Sequence, residues 1–140
     1  MGRLCVVFKT GHMHRLLLLS VLGFLLASCS TSKTEILQDG PWIVESAGLE
    51  SVEFAPQGTQ WFFLENGTFR QVETNTGTTE GSYTFNEDLN KLILNINFNG
   101  LSATIDLTLS ALDDNLMVGS GPLSAFNFQI GTVTVEASRP

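Results

Sequence analysis

The stretch KLILNINFNGLSATIDLTL, residues 91–109, leaves this chain few ways to fold. Asn99-Gly100 is the pair favoured in two-residue hairpin loops, because both residues tolerate positive φ. Folding the chain there sets Phe98 opposite Leu101, Ile96 opposite Ala103, Leu94 opposite Ile105 and Leu92 opposite Leu107. These apolar residues share one side. Asn95, Asn97, Ser102, Thr104, Asp106 and Thr108 fall on the other. A slip of one residue would turn every side chain to the wrong face, so turn chemistry and binary pattern fix the same register.

The rest of the chain beyond Pro41 repeats the theme. Period-two alternation is broken by turn residues, with no long helical stretch, and that predicts an all-β domain. WFFLENGTFRQV, residues 61–72, predicts a second hairpin around Asn66-Gly67. A two-residue loop would pair Leu64 with Phe69. A three-residue loop with a bulge would pair Phe63 with Phe69 and keep Trp61 on the same face, and this is the preferred register because it gathers the aromatics. TNTGTTEGS, residues 74–82, reads as a polar connection. Asp113-Asp114-Asn115 reads as a turn. AFNFQIGTVTVEA reads as a last long strand, with Phe126, Phe128 and Ile130 alternating and a bulge near Gly131.

The expected strands are 42–47, 60–64, 68–73, 82–86, 91–98, 101–109, 115–119 and 125–136. Short connections between all neighbours predict an up-and-down meander that closes as a small barrel. The alternative is a β-sandwich, which needs longer Greek-key crossings.

The N-terminal part obeys different rules. RLLLLSVLGFLLA, Arg15 to Ala27, has basic residues before an apolar run and small residues after it, the layout of a secretory signal. The apolar run Leu16 to Ala27 has 12 residues, whereas a membrane-spanning helix needs about 20. Leu26-Ala27-Ser28-Cys29 then resembles the lipobox of bacterial lipoproteins. That resemblance implies a signal peptide over residues 1–28, lipidation of Cys29 with a diacylglyceryl group, cleavage before Cys29, and acylation (typically palmitate) of the new N-terminus. Two or three acyl chains anchor firmly where one binds reversibly. Met13-His14-Arg15 followed by the apolar run would itself be a complete signal, so translation is expected to start at Met13. Residues 29–39 read as a polar tether and residues 40–140 as the barrel domain.

Three of the seven basic residues, Arg3, Lys9 and Arg15, lie in the leader, and all fourteen acidic residues lie after it. Residues 29–140 therefore carry four basic and fourteen acidic groups, a formal charge of −10. Such a chain repels phosphate backbones, which argues against a nucleic-acid partner. Both histidines, His12 and His14, and Cys5 also lie in the leader. A mature chain without histidine, and whose one cysteine is lipidated, lacks the groups for histidine-based triads, thiol catalysis and His/Cys metal sites. We therefore expect no enzyme, no cofactor and no metal. Asp113-Asp114-Asn115 lacks the spacing of a calcium loop, and the carboxylates of Glu87-Asp88 are adjacent in a turn, where they diverge.

Several segments together suggest a family. Gly40-Pro41-Trp42, the WFFLENGTFR hairpin, GSYTF at residues 81–85 and IDLTLSALDDNLMV at residues 105–118 resemble the strand motifs of short lipocalin-like lipoproteins of the Bacteroidetes type. The resemblance implies an eight-stranded barrel on the cell envelope, anchored in the outer membrane of a Gram-negative bacterium. It implies binding of a small apolar ligand. The alternative is a structural or protein-interaction lipoprotein with no small-molecule ligand. Candidate ligand-lining residues are Trp42, Trp61, Phe63, Phe69, Tyr83 and Phe98. Each reads equally as core, and Trp42 reads first as a plug at the closed end, because an eight-stranded barrel is just wide enough to be filled by side chains or to hold one small molecule. The family also stacks an arginine on its first-strand tryptophan. Arg139, at the very end of the chain, is read as too distant for that role.

Overall fold

The computed structural model describes residues 31–140, apart from 50, 51, 54, 76, 99, 100 and 127, and Thr31–Pro140 forms one compact unit. Among these residues are one short helix, α1 (Lys33–Gln38), and nine strands: β1 (Trp42–Leu49), β2 (Val52–Glu53), β3 (Gln60–Phe63), β4 (Thr68–Glu73), β5 (Gly77–Asn86), β6 (Lys91–Phe98), β7 (Leu101–Leu112), β8 (Leu116–Ala125) and β9 (Phe128–Ser138). From β3 to β9 each strand pairs antiparallel with the next, β1 pairs with β3, and β9 returns to β1. The meander thus closes as an eight-stranded barrel, with the two-residue β2 appended to β1. Closure leaves no full-length edge strand, and it selects the barrel over the sandwich.

The register of the β6–β7 hairpin is the one that alternation dictates: Leu92 opposite Leu107, Leu94 opposite Ile105, Ile96 opposite Ala103 and Phe98 opposite Leu101. Leu92, Leu94, Ile96, Ile105 and Leu107 are buried inside the barrel. The turn pair Asn99-Gly100 lies outside the described residues. In the β3–β4 hairpin Phe63 pairs with Phe69. Leu64 N–H donates to the Thr68 carbonyl at 2.9 Å and Gly67 N–H to the Leu64 carbonyl at 2.9 Å, closing a three-residue loop. Gly67 takes φ +80° there, a conformation that glycine adopts without a Cβ clash.

Three expectations about the secondary structure fail. Residues 77–81 belong to β5 rather than to a polar connection, because Thr68 to Glu73 of β4 form a continuous ladder with Gly77 to Ser82. Threonine-rich polar sequence suits a wall whose side chains meet solvent. Phe126 is a turn residue with φ 52° between β8 and β9, not a strand residue. The bulge near Gly131 is present: Leu123 pairs with Gly131 and Ser124 with Gln129, leaving Ile130 unpaired.

The third correction concerns residues 33–38, expected as polar tether. They form α1, with Ser32 as N-cap. The Ser32 hydroxyl accepts from Glu35 N–H at 3.1 Å and the Glu35 carboxylate accepts from Ser32 N–H at 3.1 Å, a capping box. Leu37 is fully buried in the core. So short a helix is not stable alone, and its anchorage comes from the barrel. Lys33 N–H and the Thr34 hydroxyl donate to Glu87 at 2.8 and 3.1 Å, and the Gln38 amide donates to the Tyr83 hydroxyl at 2.7 Å. The helix therefore closes one barrel end, together with the β3–β4, β5–β6 and β7–β8 turns. The β4–β5, β6–β7 and β8–β9 turns lie at the other end.

Candidate functional site

The aromatic residues singled out from the sequence come together, but in the core. Trp42, Trp61, Phe63, Phe69 and Tyr83 are all buried. Trp61 meets Phe69 edge-on at 5.3 Å, Phe69 lies 5.5 Å from Phe63, and Phe63 meets Tyr83 edge-on at 5.1 Å. Edge-to-face packing suits the ring quadrupoles. The Tyr83 hydroxyl donates to the Leu64 carbonyl at 2.9 Å, so its polar end is satisfied at the rim. Trp42 sits beneath α1 and donates its Nε1–H to the Leu37 carbonyl at 3.0 Å, as a plug would. The side chain of Phe98 and all of Cys29 lie outside the described residues.

One polar side chain shares this interior. Gln71 faces Trp61 across the β3–β4 ladder and is fully buried. An amide buried without partners costs several kcal/mol by transfer data, roughly 2–7. Here the Gln71 carbonyl oxygen accepts from Trp61 Nε1–H at 3.0 Å, and its amide nitrogen donates to the Glu73 carboxylate at 2.7 Å. The sequence held a signal for this. With Phe63 opposite Phe69, the period of two places Gln71 on the same inward face as Phe69.

Glu73 leads out to a cleft. Strand β3 has only four residues, and it pairs with β1 only at Trp42–Trp61 and Ile43–Gln60. The wall between β1 and β4 is completed by the loop before β3. There Thr59 N–H donates to the Pro56 carbonyl at 3.1 Å, with Gly58 at φ +85°, the positive φ that a type II turn places on glycine. Between this turn and the start of the β4–β5 connection lies a cleft of ≈ 220 Å³, lined by Pro56, Gln57, Thr59, Glu73, Thr74 and Asn75. On the outer side the Gln57 amide donates to Glu45 at 3.2 Å, and Glu45 also accepts from the Ser138 hydroxyl at 2.7 Å. These two bonds, the Ser138 one first, hold the Glu45 pKa below its ordinary value.

The acidic turns noted in the sequence have structural work. The Asp113 carboxylate accepts from the backbone N–H groups of Asn115 at 2.8 Å and Leu116 at 3.0 Å. Glu87 clamps the start of α1, and the Lys33 N–H bond, the largest influence, keeps its pKa low. Arg139 is where the sequence reading erred. Its guanidinium lies 4.7 Å from the centroid of the Trp42 ring. It pairs with Asp39 at 3.0 Å and donates to the Ile36 carbonyl.

No protein-family model and no curated protein matches this chain.

Proposed function

We propose that the chain is a lipid-anchored lipoprotein of the cell envelope whose barrel serves as a protein-interaction module, with its contact surface at the end far from the anchor. The observation that carries this reading is the distribution of apolar side chains. Inside the barrel they are buried from the Trp42 plug through Ile96 and Val133. A site for an apolar ligand ordinarily needs about 300 Å³ or more of apolar space. The ≈ 220 Å³ cleft beside β3 is smaller, and five of its six lining residues are of polar type. The packed interior weighs against the apolar-carrier reading and for its alternative.

Large apolar side chains do reach solvent at the β8–β9 hairpin. Phe126 is 67% exposed, Phe128 76% and Ile130 60%. Clustered exposed apolar residues mark contact sites more often than scattered ones do. This hairpin lies at the barrel end opposite α1. Ile43 pairs with Ser138 near α1, Gly48 pairs with Thr134 farther along, and β9 runs on from Thr134 to Phe128. Ser32 follows Cys29 by three positions, a reach of about 11 Å. Acyl chains on Cys29 would then hold the α1 end at the membrane and turn the Phe128 hairpin outward. The occupant is a second envelope protein with an apolar pocket that takes the Phe128 ring.

Two experiments test the two halves. With Cys29→Ala, the protein is expected to leave the membrane fraction and to lose the acylated N-terminal mass; unchanged fractionation refutes the anchor. For the surface, a photo-crosslinking residue is placed at Phe128, with Thr84 on the exposed face of β5 as control. A discrete protein adduct is expected at position 128 and not at 84. The same yield at both positions, or none at either, refutes the interaction module.

A further inference from the structure

We infer that the cleft between the Pro56–Thr59 turn and Glu73-Thr74-Asn75 is a binding site for one neutral, hydroxyl-rich ring, the size of a monosaccharide. This inference is independent of the Phe128 surface and of the membrane anchor.

The lining chemistry selects the ligand class. Asn75 and Gln57 carry amides that both donate and accept, Thr59 and Thr74 carry hydroxyls, and Glu73 carries a carboxylate. Sugar hydroxyls also donate and accept, so each can meet an amide or hydroxyl in either sense and can donate to the carboxylate. None of the six lining residues is a cation, so nothing in the cleft favours phosphate or a carboxylate ligand. One carboxylate falls short of the charge that a divalent cation collects from its oxygen ligands. Pro56 supplies an apolar surface for the C–H face of a ring. The volume of ≈ 220 Å³ lies below the range of about 300–1,000 Å³ for drug-sized ligands, which suits a single ring.

The site is also built from beneath. Glu73 accepts from Gln71 at 2.7 Å, Gln71 is fully buried, and Trp61 fixes it from the core. On the outer side, Gln57 is tied to Glu45 by an exposed hydrogen bond. A carboxylate oriented by a buried amide need not be ordered again on binding, which lowers the entropic cost. Gln71 has two tasks. Its carbonyl oxygen meets the buried Trp61 indole N–H, and its amide nitrogen holds Glu73 at the cleft.

The test uses the full-length protein in lauryldimethylamine oxide, a detergent without a sugar headgroup. Saturation-transfer NMR is run with glucose, galactose and N-acetylglucosamine, and in parallel with putrescine and inorganic phosphate. At least one monosaccharide is expected to bind saturably, through its ring protons. Glu73→Gln keeps an acceptor for Gln71 but removes the charge, and is expected to weaken binding about tenfold, as for a hydrogen bond to a charged group. Asn75→Ala, at an exposed turn residue, is expected to weaken binding with an unchanged melting temperature, so a folding defect in the first variant cannot be mistaken for the result. Failure of all three sugars to bind overturns the inference. So does sugar binding that survives both variants, or binding of putrescine or phosphate without sugar.

Discussion

The Arg139 guanidinium lies 4.7 Å from the centroid of the Trp42 ring, so the last residues of the chain cover the plug set by the first strand. The same side chain reaches Asp39 and the Ile36 carbonyl. One residue thus ties β9, β1 and α1 together where the barrel seam closes. Its position next to Pro140 made it look peripheral in the sequence. Strand pairing brings it back, because Ile43 and Ser138 are partners.

Removing that tie should loosen the α1 end. Arg139→Ala is expected to cost about 1–3 kcal/mol in urea unfolding, from the cation–π contact and the charged hydrogen bonds together. Arg139→Lys should recover only part of this, since an ammonium lacks the planar fork. A variant as stable as the parent would show that the tie contributes nothing.

The Glu87 clamp should make the helix end acid-sensitive. Its folded pKa is lowered by the Lys33 N–H, so its contribution is complete above the unfolded carboxylate value, about 4.3. It is lost as the pH falls through the lower folded value. Melting temperatures of the parent and of Glu87→Gln, measured from about pH 6 down to about pH 3, are expected to differ at the upper end and to converge at the lower. A constant gap would remove Glu87 from the acid response.

Trp61 and Gln71 should behave as a unit. Gln71→Leu leaves the Trp61 N–H buried without its acceptor, at an expected cost of about 1–3 kcal/mol. Adding Trp61→Phe removes the orphaned donor, so the double variant should lose less than the sum of the two singles. Strict additivity in chemical denaturation would mean that the bond is energetically silent.

The inward glycines should differ in tolerance according to what a methyl group would strike. A Cβ on Gly81 would lie 2.1 Å from the Asn95 carbonyl oxygen, and one on Gly121 would lie 1.8 Å from that of Asp106. Both obstacles are backbone of the neighbouring strand. A Cβ on Gly119 would meet the end of the Leu109 side chain at 2.7 Å, which can rotate away. Gly81→Ala and Gly121→Ala are expected to cost about 2–3 kcal/mol or more, and Gly119→Ala clearly less. Thermal melts of the three variants rank them directly.

What the sequence determined by itself is local. The β6–β7 register followed from Asn99-Gly100 and alternation, and the Phe63–Phe69 pairing from the wish of three aromatic residues to share a face. Both are set by residues close along the chain. The all-β class followed from the same period repeated. Residues 29–39 read as a tether despite the capping box at Ser32 and Glu35, because a helix this short forms only when Leu37 finds a core and Glu87 meets its N-terminus. Those partners lie on the far side of several strands. The rest belonged to tertiary structure for the same reason. Closure of β9 on β1 brings Arg139 to Trp42. The shortness of β3 and the turn before it open the cleft beside Glu73. Each depends on residues distant in sequence whose meeting is fixed by burial and hydrogen bonding across the whole barrel, and no local pattern encodes it.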